Sequence, residues 1–245
     1  MKFLSYPISI IYYIFFGFWL VLFHPIQWIC INFSGYYAHA KSVAILNGFL
    51  VRTTHLLGTR YQLVFKSKIP KNQPIVWVCN HQSLYDIPPL IWFMRKYHPK
   101  FISKIELGKG IPSVSFNLRH GDSVLIDRKN GSDAVKKIET IANYISKNNR
   151  SVVIFPEGTR SKTSVPKTFH RNGLKTLINN APNALFVPVS INNSWKMQRF
   201  GMFPVGLFNK ITFTFHHSLK LQSTDEDLID ELEKVVISGI KNNYN

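Results

Sequence analysis

The 245-residue chain is 45% hydrophobic and 14% aromatic, which excludes a disordered or collagen-like protein and supports one sizeable domain plus a short extra segment. Its 30 Lys and Arg against 13 Asp and Glu give a formal charge of +17, a field that attracts anionic membrane, nucleic acid or phosphorylated small molecules without choosing among them. Two cysteines, Cys30 and Cys79, are too few for a disulfide framework or a zinc cluster, and the nine His lack metal-binding spacing, so no metal is expected.

The charge is unevenly spread. No Asp, Glu, Lys or Arg lies between Lys2 and Lys41, and the first acidic residue is Asp86. Residues 3–23 are almost wholly apolar and aromatic, ending at His24-Pro25. As a helix, about 21 residues at about 1.5 Å each span roughly 31 Å, near the thickness of a bilayer core. This reads as a membrane helix or hairpin; the rival readings are a cleaved signal peptide, with Ala38-His39-Ala40 as a distant cleavage site, and a buried core helix. Residues 26–33 are apolar but short, as a re-entrant or interfacial segment would be. From Gly35 to Leu57, Val43, Leu46 and Leu50 mix with Lys41, Arg52 and His55. That mixture fits a helix on the membrane or on the domain, stopped by Gly58. Residues 1–57 are thus expected to anchor and 58–245 to form the catalytic-sized domain.

Beyond Tyr61 the pattern changes to short β-rich runs at 62–65, 75–79, 124–126, 152–155, 185–191 and 211–215. Helical periodicity lies between several of them. It is clearest over 133–147, where Ala134, Val135, Ile138, Ile141, Ala142 and Ile145 share one face behind Ser132 as the expected N-cap. Near the C-terminus Thr224 can cap a helix whose first turn holds Asp225, Glu226 and Asp227, and whose stripe is Leu228, Leu232, Val235, Val236 and Ile240. That acidic group reads as helix capping and a solvated face. Alternating strands and helices predict an α/β domain: a mixed, mostly parallel sheet flanked by helices.

Two strand ends carry the chemistry. After 75–79 comes Asn80-His81-Gln82-Ser83-Leu84-Tyr85-Asp86, with Pro88 and Pro89 suited to the first turn of a following helix. In such a turn His81 can fold back onto Asp86, whereas five residues of regular helix would separate them by about 140°. A carboxylate on one imidazole nitrogen fixes the tautomer and supports the charge gained at the other. The plainer alternative is a turn histidine beside a helix-capping Asp. After 152–155 comes Pro156-Glu157-Gly158-Thr159-Arg160-Ser161, expected at the same sheet edge. Its glycine allows close backbone approach and Arg160 offers a planar fork for phosphate. Glu157 can accept from an acceptor hydroxyl or orient Arg160, or the two can be a structural pair. Cys79 beside His81 suggests a thiol nucleophile, but its place at the end of an apolar strand favours buried packing.

Together these blocks resemble the glycerolipid acyltransferases, in particular the 1-acyl-sn-glycerol-3-phosphate (lysophosphatidate) acyltransferases. NHQSLYD is similar to the family's H-x4-D block and FPEGTRS to its EGTR block. Residues 103–107 with Ile111-Pro112, then Gly121 through Ile126-Asp127-Arg128, resemble a second block. Val187-Pro188-Val189 resembles a fourth, so the likeness runs in order from about Leu57 to Ile191. One departure is Phe169-His170-Arg171-Asn172-Gly173, one residue longer than the family's Phe-Lys-x-Gly segment and lacking its Lys, with Arg171 the nearest cation.

The resemblance implies direct acyl transfer to lysophosphatidate. His81 would be the general base and Asp86 its orienting partner. Arg160, with Arg128 or Lys104, would hold the acceptor phosphate, and Glu157 in the segment Glu157-Gly158-Thr159-Arg160 would place the glycerol. It implies no cofactor beyond the co-substrate, acyl-CoA or acyl carrier protein. The expected partners are that donor, lysophosphatidate and membrane phospholipid, with the catalytic domain on the cytoplasmic side of the membrane, the inner membrane in a bacterium. Competing readings are a related enzyme for another lysophospholipid, glycerol 3-phosphate or a lipid A-like acceptor, and a basic protein binding membrane or nucleic acid. No nucleic-acid motif occurs, and nucleic acid is not an expected partner.

Overall fold

The computed structural model describes residues 2–127, 129–222 and 224–241; Arg128 lies outside them. The N-terminal segment is a helical hairpin. Helix α1 runs over Lys2–Ile29, a π-helical bend over Cys30–Ser34, and α2 over Gly35–Thr53. Leu20 and Phe23 of α1 meet Leu46 and Leu50 of α2, and Trp19 stacks on Phe49 at 4.1 Å. A short turn over Thr54–Leu57 ends at Gly58, whose φ of 69° is the left-handed conformation expected of a helix stop.

Pro25 does not end the apolar helix as the sequence suggests. The domain supplies hydrogen bonds to that turn: Ser113 donates from Oγ to the Leu20 carbonyl and from its backbone N–H to His24 Nδ1. Residues 26–29 continue α1 beyond Pro25, and the chain bends only at Cys30.

The domain is built on a seven-stranded sheet. Its strands are β1 (Arg60–Phe65), β2 (Ile75–Cys79), β3 (Pro99–Lys104), β4 (Val124–Ile126), β5 (Ser151–Ile154), β6 (Leu185–Asn192) and β7 (Lys210–Phe215), in the order β1-β7-β6-β2-β5-β3-β4. All neighbouring pairs are parallel except β6 with β7, so the sheet is mixed and mostly parallel. β3 is absent from the sequence expectations. Pro99-Lys100-Phe101-Ile102-Ser103-Lys104 lacks the apolar continuity of a central strand, and its Lys100 is buried because Asp122 and the Gly121 carbonyl receive the ammonium.

Alternate β2 side chains face opposite layers. Ile75, Trp77 and Cys79 pack with Leu90 and Met94, from helix α3 (Ile87–Phe93) and the residue after it, and with Tyr12 of α1. Val76 and Val78 pack against α5 (Gly131–Asn148), α6 (Arg171–Asn180) and α7 (Asp225–Ser238). Helix α4 (Val114–His120) lies between β3 and β4 and touches the hairpin through Phe116, which meets His24 and His39. The N-cap of α5 is Asn130, whose side chain accepts from the Asp133 N–H, two residues earlier than the expected Ser132. Thr224 caps α7 as expected. The acids of that helix do more than cap: Glu226 binds Arg171 and Lys175, and Asp230 binds Arg171, which ties α7 to α6.

Adjacent parallel strands β2 and β5 send the chain away over opposite faces, through α3 to β3 and through α6 to β6. Crossovers that part in this way open a crevice at the carboxyl ends of the two strands.

Candidate active site

The β2 exit is pinned before the chemistry begins. Asn80 accepts from the Ile191 N–H at 2.7 Å and donates to the Ile191 carbonyl at 3.0 Å, copying a ladder step onto β6. The next residue, His81, lies in the turn. Its Nδ1 is 2.8 Å from Asp86 Oδ2, and the same oxygen accepts the backbone N–H groups of Gln82 and Ser83 at 2.9 and 3.0 Å. Ser83 caps the short helical turn Leu84–Asp86, which leads directly into α3 with Pro88 in its first turn. The local sequence thus folds a carboxylate back over its own turn, and that carboxylate is fully buried.

With Nδ1 committed to Asp86, Nε2 is the nitrogen left for chemistry. The His81 side chain is 18% exposed, and its ring lies against Phe155, centroids 4.1 Å apart and planes 23° apart. Rotation out of the site is therefore opposed on one face by Phe155 and at one edge by Asp86.

The loop after β5 is joined to the His81 turn through the backbone. Ser161 donates its N–H to the His81 carbonyl at 2.8 Å, while Glu157 Oε1 accepts the His81 N–H at 2.9 Å. Glu157 Oε2 accepts the Lys167 N–H at 3.1 Å. Gly158, at φ 69°, turns the chain so that its N–H reaches the Phe155 carbonyl. Both oxygens of Glu157 are occupied and the residue is only 2% exposed. In the structure it braces two loops, and its bonds here are to backbone N–H groups, not to Arg160. Burial pushes its carboxyl up to about 7, against the lowering effect of the two backbone N–H groups, and the nearby Asp86 adds to the rise.

Thr159 is exposed and accepts from Lys167 Nζ at 2.7 Å. Arg160 is partly buried and reaches Gln198 Oε1 at 3.4 Å. That same Gln198 oxygen accepts the Leu84 N–H at 3.1 Å, so one amide links the arginine to the turn that carries Asp86. Sequence reading gives Gln198 no role because it stands outside all four blocks, in the loop after β6. Lys104 ends β3 at the same sheet edge with its side chain exposed, and none of these hydrogen bonds includes it. Arg128 lies outside the described residues. Arg171 is held by Glu226 and Asp230 at the α6–α7 contact. Cys79 is fully buried in the core, where burial and then Asp86 push its thiol well up, which disfavours a nucleophilic thiolate. Among the described residues no group of three or more His, Cys, Asp or Glu is arranged to hold a metal ion.

A family model described as Acyltransferase matches residues 60–192. Similar curated proteins include a 1-acyl-sn-glycerol-3-phosphate acyltransferase from Cocos nucifera, 27% identical over 169 residues, covering 67% of this chain and 52% of that protein. One of the same description from Helicobacter pylori is 40% identical over 88 residues, 35% of each chain. The chain therefore spans about half or less of the length of these relatives. In fold it is similar to the crystal structure of the 1-acyl-sn-glycerophosphate acyltransferase PlsC from Thermotoga maritima. The TM-score is 0.79 at 22% identity, covering 98% of this chain and 96% of that one.

Proposed function

The chain belongs to the acyltransferase family, and from that premise we propose that it moves a fatty acyl group from an acyl thioester to the sn-2 hydroxyl of lysophosphatidate, giving phosphatidate. The observation that carries the proposal is the buried Asp86 on His81 Nδ1 at 2.8 Å, which leaves Nε2 as a base in the crevice. Nε2 takes the proton of the acceptor hydroxyl as that oxygen attacks the thioester carbonyl. Asp86 holds the tautomer and offsets the imidazolium charge. Collapse of the tetrahedral intermediate breaks the carbon–sulfur bond, and His81 returns the proton to the departing thiolate. The reaction closes without a covalent acyl-enzyme.

Arg160 is the cation joined most directly to this turn, through Gln198, and is assigned to the acceptor phosphate. Lys104, at the end of β3, is a secondary candidate for that anion, and so is Arg128, which lies outside the described residues. No cofactor is needed beyond the donor, acyl-CoA or acyl carrier protein.

The hairpin suits a lipid substrate. Phe3, Ile10, Ile14, Phe15, Phe18 and Val21 form an exposed apolar face on α1, while Ser9, Tyr12 and Leu20 on its other side meet the domain. A helix packed on the domain along its length fits a hairpin embedded in one leaflet better than one crossing to the far side. The active site then opens at the membrane surface, assigned to the cytoplasmic face where thioester donors occur.

The test is turnover by purified protein in lipid or detergent, followed by mass spectrometry of the product. Thioester consumption should require lysophosphatidate and yield phosphatidate. Consumption with another hydroxyl acceptor but none with lysophosphatidate would refute the acceptor assignment.

A further inference from the structure

A second concentration of charge lies at the opposite edge of the sheet. A cavity of about 40 Å³ is bounded by the start of α2, the end of α4 and the first residues of β3. Tyr36, His39, Arg95, His98, Lys100 and Ser123 are among its lining residues. Since a water needs about 10–15 Å³ of such space, the cavity has room for about three waters or one tetrahedral oxyanion. It adjoins β3 at Pro99 and Lys100, whereas the catalytic loops leave the other strand ends.

The lining carries more positive charge than its acid can balance. Lys100 is buried, donates to the Gly121 carbonyl at 2.8 Å, and lies 3.7 Å from Asp122. Asp122 is shared with Arg150 at 3.5 Å and with the Tyr144 hydroxyl. Arg150 in turn lies over the Tyr36 ring at 3.5 Å, and Tyr36 binds His98 Nδ1. One carboxylate therefore faces two cations. The exposed Arg95 borders the cavity with its guanidinium over the Trp92 ring and one nitrogen on the Trp92 carbonyl at 2.7 Å, leaving its other N–H groups for an anion. Burial presses the Lys100 ammonium down to about 8 despite Asp122, with Arg150 adding to the fall. His39 is 1% exposed and its Nε2 has no hydrogen-bond partner, an arrangement that costs free energy unless something binds there.

We propose that this cavity is a binding site for a phosphate group, received by His39, Lys100 and Arg95 with the Ser123 hydroxyl. Ser123 accepts from the Phe101 N–H, so its own proton is free to be donated. Several donors around a cavity of this size suit an oxyanion with many acceptor oxygens better than a halide. The source can be a phospholipid headgroup or free phosphate. A headgroup is close at hand if the hairpin is embedded, because Phe33 and Tyr37 at the bend are exposed beside the same turn of α2. The site does not depend on the acyl-transfer reading; only the lipid source depends on the hairpin being embedded.

The experiment is calorimetric titration of the full chain in detergent with inorganic phosphate, alongside nitrogen NMR of labelled histidines. Saturable binding with movement of the His39 resonance is expected. Arg160→Ala, which removes the proposed acceptor site's phosphate ligand, should leave the phosphate-dependent movement of the His39 resonance unchanged, which separates the two sites. In that background Lys100→Met and the cavity-filling His39→Phe should each weaken calorimetric phosphate binding at least tenfold, with circular dichroism confirming the fold. In nanodiscs, movement of His39 on adding phosphatidylglycerol to phosphatidylcholine, without free phosphate, would identify the headgroup as the source. A response to inorganic phosphate alone would identify the free anion. Calorimetric binding that survives both cavity variants in the Arg160→Ala background, or a His39 resonance indifferent to phosphate and to lipid, would overturn the proposal.

Discussion

Glu157→Gln tests the brace between the two catalytic loops. The carboxylate holds the His81 and Lys167 N–H groups, and burial raises it from the usual 4.5 to about 7. Where the folded state holds a proton that the unfolded chain has released, stability falls as pH rises. The Glu157 contribution is full below about 4.5 and is lost as pH rises through 7. Between pH 5 and pH 8 the loss amounts to about 2.5 kcal/mol. Glutamine cannot ionise, so that part of the slope should vanish. One N–H then faces an amide nitrogen at every pH, a constant penalty of about 1–3 kcal/mol. The assay is denaturant unfolding of both proteins in the same detergent at several pH values, subtracting the curves to cancel all other titrating groups. A difference that stays flat from pH 5 to 8 would refute the claim that Glu157 is a buried, proton-holding brace.

His81→Ala should lower turnover by about 10²–10⁴-fold with the fold retained, read by steady-state kinetics and circular dichroism. Asp86→Asn should lower kcat comparably, because an amide presenting its NH2 to Nδ1 favours the tautomer with Nε2 protonated. Arg160→Ala should lower kcat/KM for lysophosphatidate by about 10- to 150-fold, the loss of about 1.5–3 kcal/mol of charged hydrogen bonding. The donor's KM should stay constant. Gln198→Ala should raise the acceptor's KM by about 2- to 10-fold by freeing Arg160 and leaving the Leu84 N–H without its acceptor. A full-length double variant, Ile14→Lys with Val21→Lys, should weaken vesicle binding at least tenfold, since these residues are 64% and 62% exposed. Its unfolding free energy in detergent should move by no more than about 0.5 kcal/mol. Deletion of the first 34 residues would be a poorer test, because Tyr12 belongs to the main core.

The sequence by itself determined the parts of this protein that are local. Period-two and apolar runs marked six of the seven strands, and Thr224 with its acids marked the last helix. The spacing from His81 to Asp86 was enough to bring the two together, because the turn closes within five residues. Only the tertiary structure decided what depends on partners far along the chain. β3 was hidden because its buried Lys100 is acceptable only beside Asp122 and Gly121. The turn before Pro25 is tied to the domain by Ser113, nearly ninety positions later, which bonds to the Leu20 carbonyl and the His24 ring. The bracing role of Glu157 shows only where its oxygens meet two backbone N–H groups far along the chain, and Gln198 carries no motif because its use lies in bridging Leu84 and Arg160. A buried polar group takes whichever partner folding brings within about 3 Å, and sequence spacing foretells that partner only where the chain is too short to offer another.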